Sequence, residues 1–171
     1  MTVSQSEQDD HGFLYGQPVT GDGQQKVIYP HRENWLETAT KLFEDDWNMC
    51  VDLTAVDYLN HMERLLPEIV NGHRFEIVAS FISHKKKSRI RARVQIPETD
   101  LSLESLYNLY PGTDYLEREV FDMFGIKFSN HPDLSRILMP ETWDGHPLLK
   151  DYAVGAIPVQ FKHPQGGSSN D

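Results

Sequence analysis

Cysteine is almost missing from this chain: its 171 residues include one, Cys50. A single thiol closes no internal disulfide and cannot supply the ligands of an iron–sulfur cluster or a structural zinc site. Long apolar runs are missing too. No window approaches the roughly 20 apolar residues that cross a bilayer. The stretch MTVSQSEQDDHG is polar and acidic, without the apolar heart of a secretion signal. A soluble or peripheral protein of the cytoplasm is therefore expected. Positive charge is scarce, with 16 Lys and Arg against 26 Asp and Glu, a formal net charge of −10. That sign opposes attraction to nucleic acid and to anionic lipid. Nor is there a GxGxxG fingerprint, a phosphate loop, a nucleophile elbow or a pair of histidines four apart.

What is present is a chain long enough for one domain, burying roughly two-thirds of its unfolded surface without staples. Residues 1–25 mix Gly, Pro and polar residues and are expected to be flexible. KVIY, from Lys26 to Tyr29, is a short strand candidate. Trp35, Leu36, Ala39, Leu42 and Phe43 fall at helical spacing and predict an amphipathic helix over residues 31–44. CVDLTAVDYL reads as a strand. MERLLPEIVNG offers a short helical stretch that Pro67 limits. RFEIVASFIS and SRIRARVQI make a hairpin whose tip is Lys85 to Lys87. Arg89, Arg91 and Arg93 alternate with apolar residues, so they read as the wet face of a strand in preference to a nucleic-acid site. An acidic protein partner is a third use for them.

LSLESLYNLY is a short helix candidate, and Ile126 to Phe128 a short strand. The fold class expected is α+β: two layers, a mostly antiparallel or mixed sheet with helices packed on one face, and an extended C-terminal segment. The boundaries are a flexible segment over 1–25, the α+β domain over 26–128, an extended docking segment over 129–162 and a flexible tail over 163–171.

The densest chemistry is EREVFDMFG followed by HPDLSRIL. Asp114 is a candidate N-cap, with Glu117 three positions on as in a capping box. Leu116, Val120, Met123 and Phe124 line one face, and Gly125 suits a left-handed C-cap. Glu117, Arg118, Glu119 and Asp122 stand opposite. Arg118 and Asp122 form an i, i+4 pair worth about 0.3–0.5 kcal/mol if exposed. Glu119, Asp122 and His131 fit neither a di-iron nor a zinc-protease pattern. Acid–base catalysis would need a shaped pocket and perturbed pKa values. Beyond the helix, Pro132, Pro140 and Pro147 impose an extended course. That segment lies either on its own domain or along a partner, with Trp143, Tyr152 and the arginines as anchors.

The run YLEREVFDMFGIKFSNHPDLSRILMPETWDGHPLLKDY closely resembles the signature of one component of proton-pumping NADH:quinone oxidoreductase, the thirty-kilodalton (C) subunit family of respiratory complex I. Glu117, Arg118, Glu119, Asp122, Gly125, Phe128, His131, Pro132, Arg136, Ile137 and Pro140 fall in register. So do Trp143, Gly145, His146, Pro147, Lys150, Asp151 and Tyr152. Upstream, DLTAVDY, RFEIV and RIRARVQIP also look like the family. Ser135, Leu149 and Ala153 depart from it, and LNHMERLLPEIVNGH is longer than its usual counterpart.

The resemblance implies a non-redox structural subunit of the peripheral arm, with no catalytic, cofactor or metal residue of its own. Iron–sulfur clusters, FMN and quinone would sit on other subunits. Its partners would be the quinone-pocket component (D) and the iron–sulfur components B and I, with the G component a further candidate. Membrane contact would come only through the complex, at the cytoplasmic face of the cell membrane or the stromal face of a photosynthetic one. The helix residues, Arg118 with its acidic neighbours above all, would make half-buried polar contacts within the domain and to the quinone-pocket component. The alternatives are the equivalent subunit of a complex fed by ferredoxin or another carrier, and a stand-alone enzyme using the acidic helix and His131.

Overall fold

The computed structural model describes residues 12–153. Eight strands and two α-helices follow one another: β1 (Phe13–Leu14), β2 (Gln17–Thr20), β3 (Val27–Ile28), α1 (Trp35–Glu44), β4 (Met49–Asp57), β5 (Phe75–Ser83), β6 (Ser88–Ile96), β7 (Ser102–Glu104), α2 (Asp114–Phe124) and β8 (Lys127–Ser129). Six of the strands form a mixed sheet in the order β1-β2-β3-β6-β5-β4, with β7 and β8 a separate parallel pair. Within the large sheet only β3 and β6 run parallel. The α+β expectation holds.

Period-2 alternation decides which face of the sheet is dry. Phe75, Ile77, Ala79 and Phe81 of β5 are buried, matched by Ile90, Ala92, Val94 and Ile96 of β6. Helix α1 buries Trp35, Thr38, Ala39 and Leu42, at i, i+3, i+4 and i+7. The Trp35 ring lies 6.3 Å from that of Phe81, and its indole N–H donates to the Glu104 carbonyl at 3.1 Å. Helix α2 packs on β4 through Val120, Met123 and Phe124. Both helices therefore cover the same face.

Several expectations need correction. Residues 12–25 are not a flexible lead: β1 and β2 pair there as a hairpin, and β2 joins the sheet through β3. Their low apolar content misled, because backbone pairing at a sheet edge asks little of side chains. LSLESLYNLY is not a helix. Leu103 points inward from β7, whose pairing with β8 fixes an extended course ending in turns. MERLLPEIVNG holds no helix either, being a chain of turns closed by hydrogen bonds such as Val70 N–H to the Pro67 carbonyl.

The arginine stripe divides. Arg91 is exposed, but Arg93 donates to the fully buried Glu76 at 2.7 Å. Gln95 also donates to Glu76, and Arg64, from the long 58–73 connection, brings its guanidinium to 3.7 Å. That connection covers one half of the sheet's second face. At the hairpin tip Lys85 and Lys86 are not simply solvated, since they pair with Asp46 and Asp45 at 2.6 and 2.7 Å. Of the expected extended segment, residues 129–153 are described and run irregularly across α2. Residues 154–162, the tail over 163–171 and residues 1–11 lie outside the described residues.

Candidate docking surface

The signature residues converge because α2 stops where it does. Gly125 takes φ +77, a left-handed conformation that costs a β-carbon roughly 1–2 kcal/mol. A β-carbon there would also stand 2.8 Å from the His146 ring, so the turn and the packing of the returning chain both demand glycine. His146 Nδ1 sits 2.9 Å from the Asp122 carbonyl, and its ring meets Phe121 edge-on at 6.1 Å. Gly145 repeats the arrangement with φ +79 and the Tyr152 ring 2.7 Å from where a β-carbon would stand.

Asp122 is the hub. Its Oδ2 accepts the backbone N–H groups of Ile137, Leu138 and Met139 at 3.1, 2.8 and 2.8 Å. Its Oδ1 accepts Arg136 Nη1 at 2.6 Å, while Arg136 Nη2 reaches the Gly145 carbonyl at 3.0 Å. Burial alone would raise the Asp122 carboxyl. The N–H of Met139, the Arg136 guanidinium and the N–H groups of Leu138 and Ile137 outweigh it and hold the group below the usual carboxylate range.

Arg118 does not pair with Asp122. It turns toward the returning chain, donating from Nε to the Ser135 carbonyl at 3.1 Å and from Nη2 to Ser135 Oγ at 3.0 Å and the Arg136 carbonyl at 3.2 Å. The expectation that Arg118 serves acidic neighbours is thus corrected: Arg136 has taken its acid. Ser135, one of the departures from the signature, supplies an acceptor here. Leu149, another, packs against the core.

Glu117 is fully buried and faces inward, accepting from Ser105 Oγ at 2.5 Å, Leu106 N–H at 2.8 Å and Thr113 Oγ1 at 3.0 Å. Burial pushes its carboxyl up, against the pull of those donors. The capping box is therefore displaced: Thr113 is the N-cap, and Glu117 serves the preceding loop. The His131 side chain is buried as well. Its Nδ1 accepts the Asp133 N–H at 3.2 Å, so the neutral ring carries its proton on Nε2, which donates to the Asp114 carbonyl at 3.2 Å. With both side chains sealed, the catalytic alternative built on His131 loses access to substrate. Glu119 is exposed and Asp122 buried, so Glu119, Asp122 and His131 do not converge on a common point.

A second clip was not read from the sequence. Arg74, just before β5, donates to both oxygens of Asp57, at the end of β4, at 2.8 Å each. It also reaches both oxygens of Asp151, at 2.7 and 3.1 Å, and Glu98 at 2.9 Å. Asp57 Oδ2 further accepts the Lys150 N–H at 2.9 Å. Burial would raise the Asp57 carboxyl, but Arg74 and the N–H groups of Lys150 and Leu59 lower it on balance. Lys150 and Asp151 are thus held from within the chain, and Tyr152 closes the turn by donating to the Asp144 carbonyl at 3.1 Å. Trp143 is half-buried, Pro147 half-buried and Pro132 exposed.

Residues 131–153 consequently form a strap clasped to α2 and to the ends of β4 and β5. Its outward side leaves Ile137, Leu138 and Leu148 exposed, with Tyr115 of α2 also exposed; Leu138 is 61% and Tyr115 64% accessible.

Comparison with known proteins gives a consistent result. Residues 28–157 match the family described as respiratory-chain NADH dehydrogenase, 30 Kd subunit. The chain is 40% identical over 147 residues to the C component of NADH-quinone oxidoreductase from Saccharopolyspora erythraea, covering 84% of this chain and 55% of that protein. It is 43% identical over 141 residues to the C component of the same enzyme from a Roseiflexus species, covering 81% and 75%. This chain thus spans between about half and three-quarters of the length of these two relatives. Among solved structures, a trypsin-resistant fragment of Nqo5 superposes with a TM-score of 0.60 at 31% identity, covering 70% of this chain and 90% of the fragment. A chain of an archaeal membrane-bound sulfane sulfur reductase superposes with a TM-score of 0.65 at 18% identity, covering 88% of each, a likeness of fold alone.

Proposed function

Because the chain belongs to the family of the 30 kDa subunit of respiratory-chain NADH dehydrogenase, we propose that it is a structural subunit of a membrane-associated NADH:quinone oxidoreductase. In this reading it carries no redox centre and contributes to catalysis only by building the peripheral arm. Its neighbours are the quinone-pocket component (D) and the iron–sulfur components B and I, on the cytoplasmic side of the membrane. Iron–sulfur clusters, FMN and quinone belong to those and other subunits.

One observation carries this reading. Apart from the exposed Glu119, the acids and arginines of the signature are consumed inside the chain, and what they hold is a strap with exposed apolar side chains, Leu138 and Leu148 among them. Ordering an irregular segment costs roughly 1–2 kcal/mol per residue in backbone entropy. Prepaying it on the free subunit favours binding along a partner surface. Exposed apolar side chains on a fixed scaffold suit the more apolar centre of an interface.

The test is affinity purification of the tagged chain from its own membranes in mild detergent, with mass spectrometry of what accompanies it. A large assembly containing iron–sulfur subunits and hydrophobic membrane subunits is the expected result. L138E together with L148E should abolish it while leaving the melting temperature of the isolated chain unchanged. Elution of the wild-type chain alone would overturn the reading.

A further inference from the structure

The second face of the sheet is only half covered. Toward the ends of β5 and β6 nearest the 58–73 connection, Glu76, Arg93 and Gln95 are roofed by Arg64. Toward the lysine hairpin no further layer covers the face among the described residues. There it holds a depression of about 690 Å³ lined by Lys26, Val51, Asp52, Ile82, Arg89 and Arg91, with Ser80 as its floor. The register explains the hollow. Ser80 pairs with Asp52 on one side and Arg91 on the other, so the smallest side chain of the row lies between two larger ones. Ile82 pairs with Arg89, and a break in the β4 register between Cys50 and Asp52 leaves Val51 43% exposed at the rim.

We propose that this depression, resting on the reading of the chain as a subunit of an assembly, docks an acidic, partly apolar polypeptide segment of a neighbouring subunit. Charge complementarity selects the occupant. The chain carries ten more acids than bases, and its other arginines are engaged: Arg32 with Asp100, Arg64 and Arg93 with Glu76, Arg74 with Asp57, Arg136 with Asp122, and Arg118 with carbonyl oxygens. Arg89 and Arg91 are exposed and make no ion pair among the described residues. Two free guanidiniums beside the exposed Val51 and the half-buried Ile82 suit a carboxylate flanked by an apolar residue. No aromatic ring lines the hollow to stack a base, and the net charge of −10 opposes a nucleic acid. A concave site that spans β4, β5 and β6 also fits a peptide better than a flat bilayer.

The experiment places a benzophenone amino acid at position 51 of the full chain and irradiates the assembly purified from its own membranes. An adduct to a stretch of a neighbouring subunit rich in Asp and Glu is expected. R89E/R91E should lower its yield about fivefold or more, while K127E, on the distant β8, leaves it unchanged. Should R89E/R91E fail to fold, raising the salt tenfold during irradiation of the parent chain should reduce the adduct by a similar factor. An adduct to residues 1–11 or 154–171 of this same chain, to lipid or to nucleic acid, or one insensitive to both charge reversal and salt, overturns the inference. So does the absence of an adduct. If the partners co-purify and the acidic adduct does not form, only this inference falls. If the chain elutes alone, the structural-subunit reading fails and takes this one with it.

Discussion

Asp122 and Arg136 meet at 2.6 Å across the turn that follows α2, and three consecutive N–H groups close on the same carboxylate. Removing the acid strands a cation that is only 16% exposed and leaves three donors without a charged acceptor. D122A should therefore cost about 3–5 kcal/mol in a denaturant titration, as breaking a buried pair does. D122N, which keeps an acceptor and loses the charge, should cost less. Equal and small effects for both would show the strap to be held by packing alone.

Arg118 should matter less than its place in the signature suggests. It donates to the Ser135 and Arg136 carbonyls and to a hydroxyl, so R118A strands no acid. A loss of about 1–2 kcal/mol is expected in the same titration, well below that of D122A. Protease nicking between residues 131 and 140 should rise in R118A, because the entry of the strap is what it holds.

Arg74 should be the more sensitive arginine. R74A leaves the buried Asp57 uncompensated and releases Asp151, with an expected cost of about 3–5 kcal/mol. R74K should rescue little, since an ammonium cannot chelate Asp57 through two N–H groups and reach Asp151 as well. Full rescue by lysine would show that charge alone suffices.

Helix α2 ends by two independent requirements at Gly125. G125A meets both the left-handed strain and the His146 ring, and should lose about 2–3 kcal/mol. G112A, where a β-carbon meets nothing within 4 Å and φ is not positive, should change stability by under about 0.5 kcal/mol. Combining G125A with H146A should recover the part owed to the clash, measurable as a double-mutant coupling.

Acid should open the strap before it melts the domain. Asp122 and Asp57 are both lowered in the fold, so their contribution is present above the ordinary carboxylate pKa and lost as pH falls through the folded values. Trp143 fluorescence should report release below about pH 4. Glu117 works in the opposite sense: its folded value is raised, so its contribution declines as pH climbs from the ordinary Glu value through the folded one. Relative to the parent chain, E117Q should therefore gain stability with rising pH in that window. A flat difference would mean that Glu117 does not titrate differently on folding.

Much of this fold was legible because period and burial coincide. Trp35, Ala39 and Leu42 announce α1, and the alternation of RFEIVASFIS and SRIRARVQI announces a hairpin whose strands begin within one residue of the expected places. The signature helix and its glycine stop were also legible. What escaped was polar and non-local. Arg74 is separated from Asp151 by 77 positions, and nothing near either in sequence marks them as a pair. The assignment of Asp122 to Arg118 followed helical spacing. In the fold a cation fourteen residues away wins, because the carboxylate faces the strap. Residues 12–25 were misread since a sheet edge is built by backbone, on which composition is silent.

The clip between Lys150 and Asp57 spans 93 residues and shares its carboxylate with Arg74. Those two residues sit at the adjoining ends of adjacent strands, so the strap has nowhere to fasten until β4 and β5 have paired. The outward apolar row at Leu138 and Leu148 is therefore a certificate of completed folding. In the proposed role as a structural subunit, a chain with a defective sheet would offer no such surface to a neighbouring subunit, and assembly would become the step that rejects it.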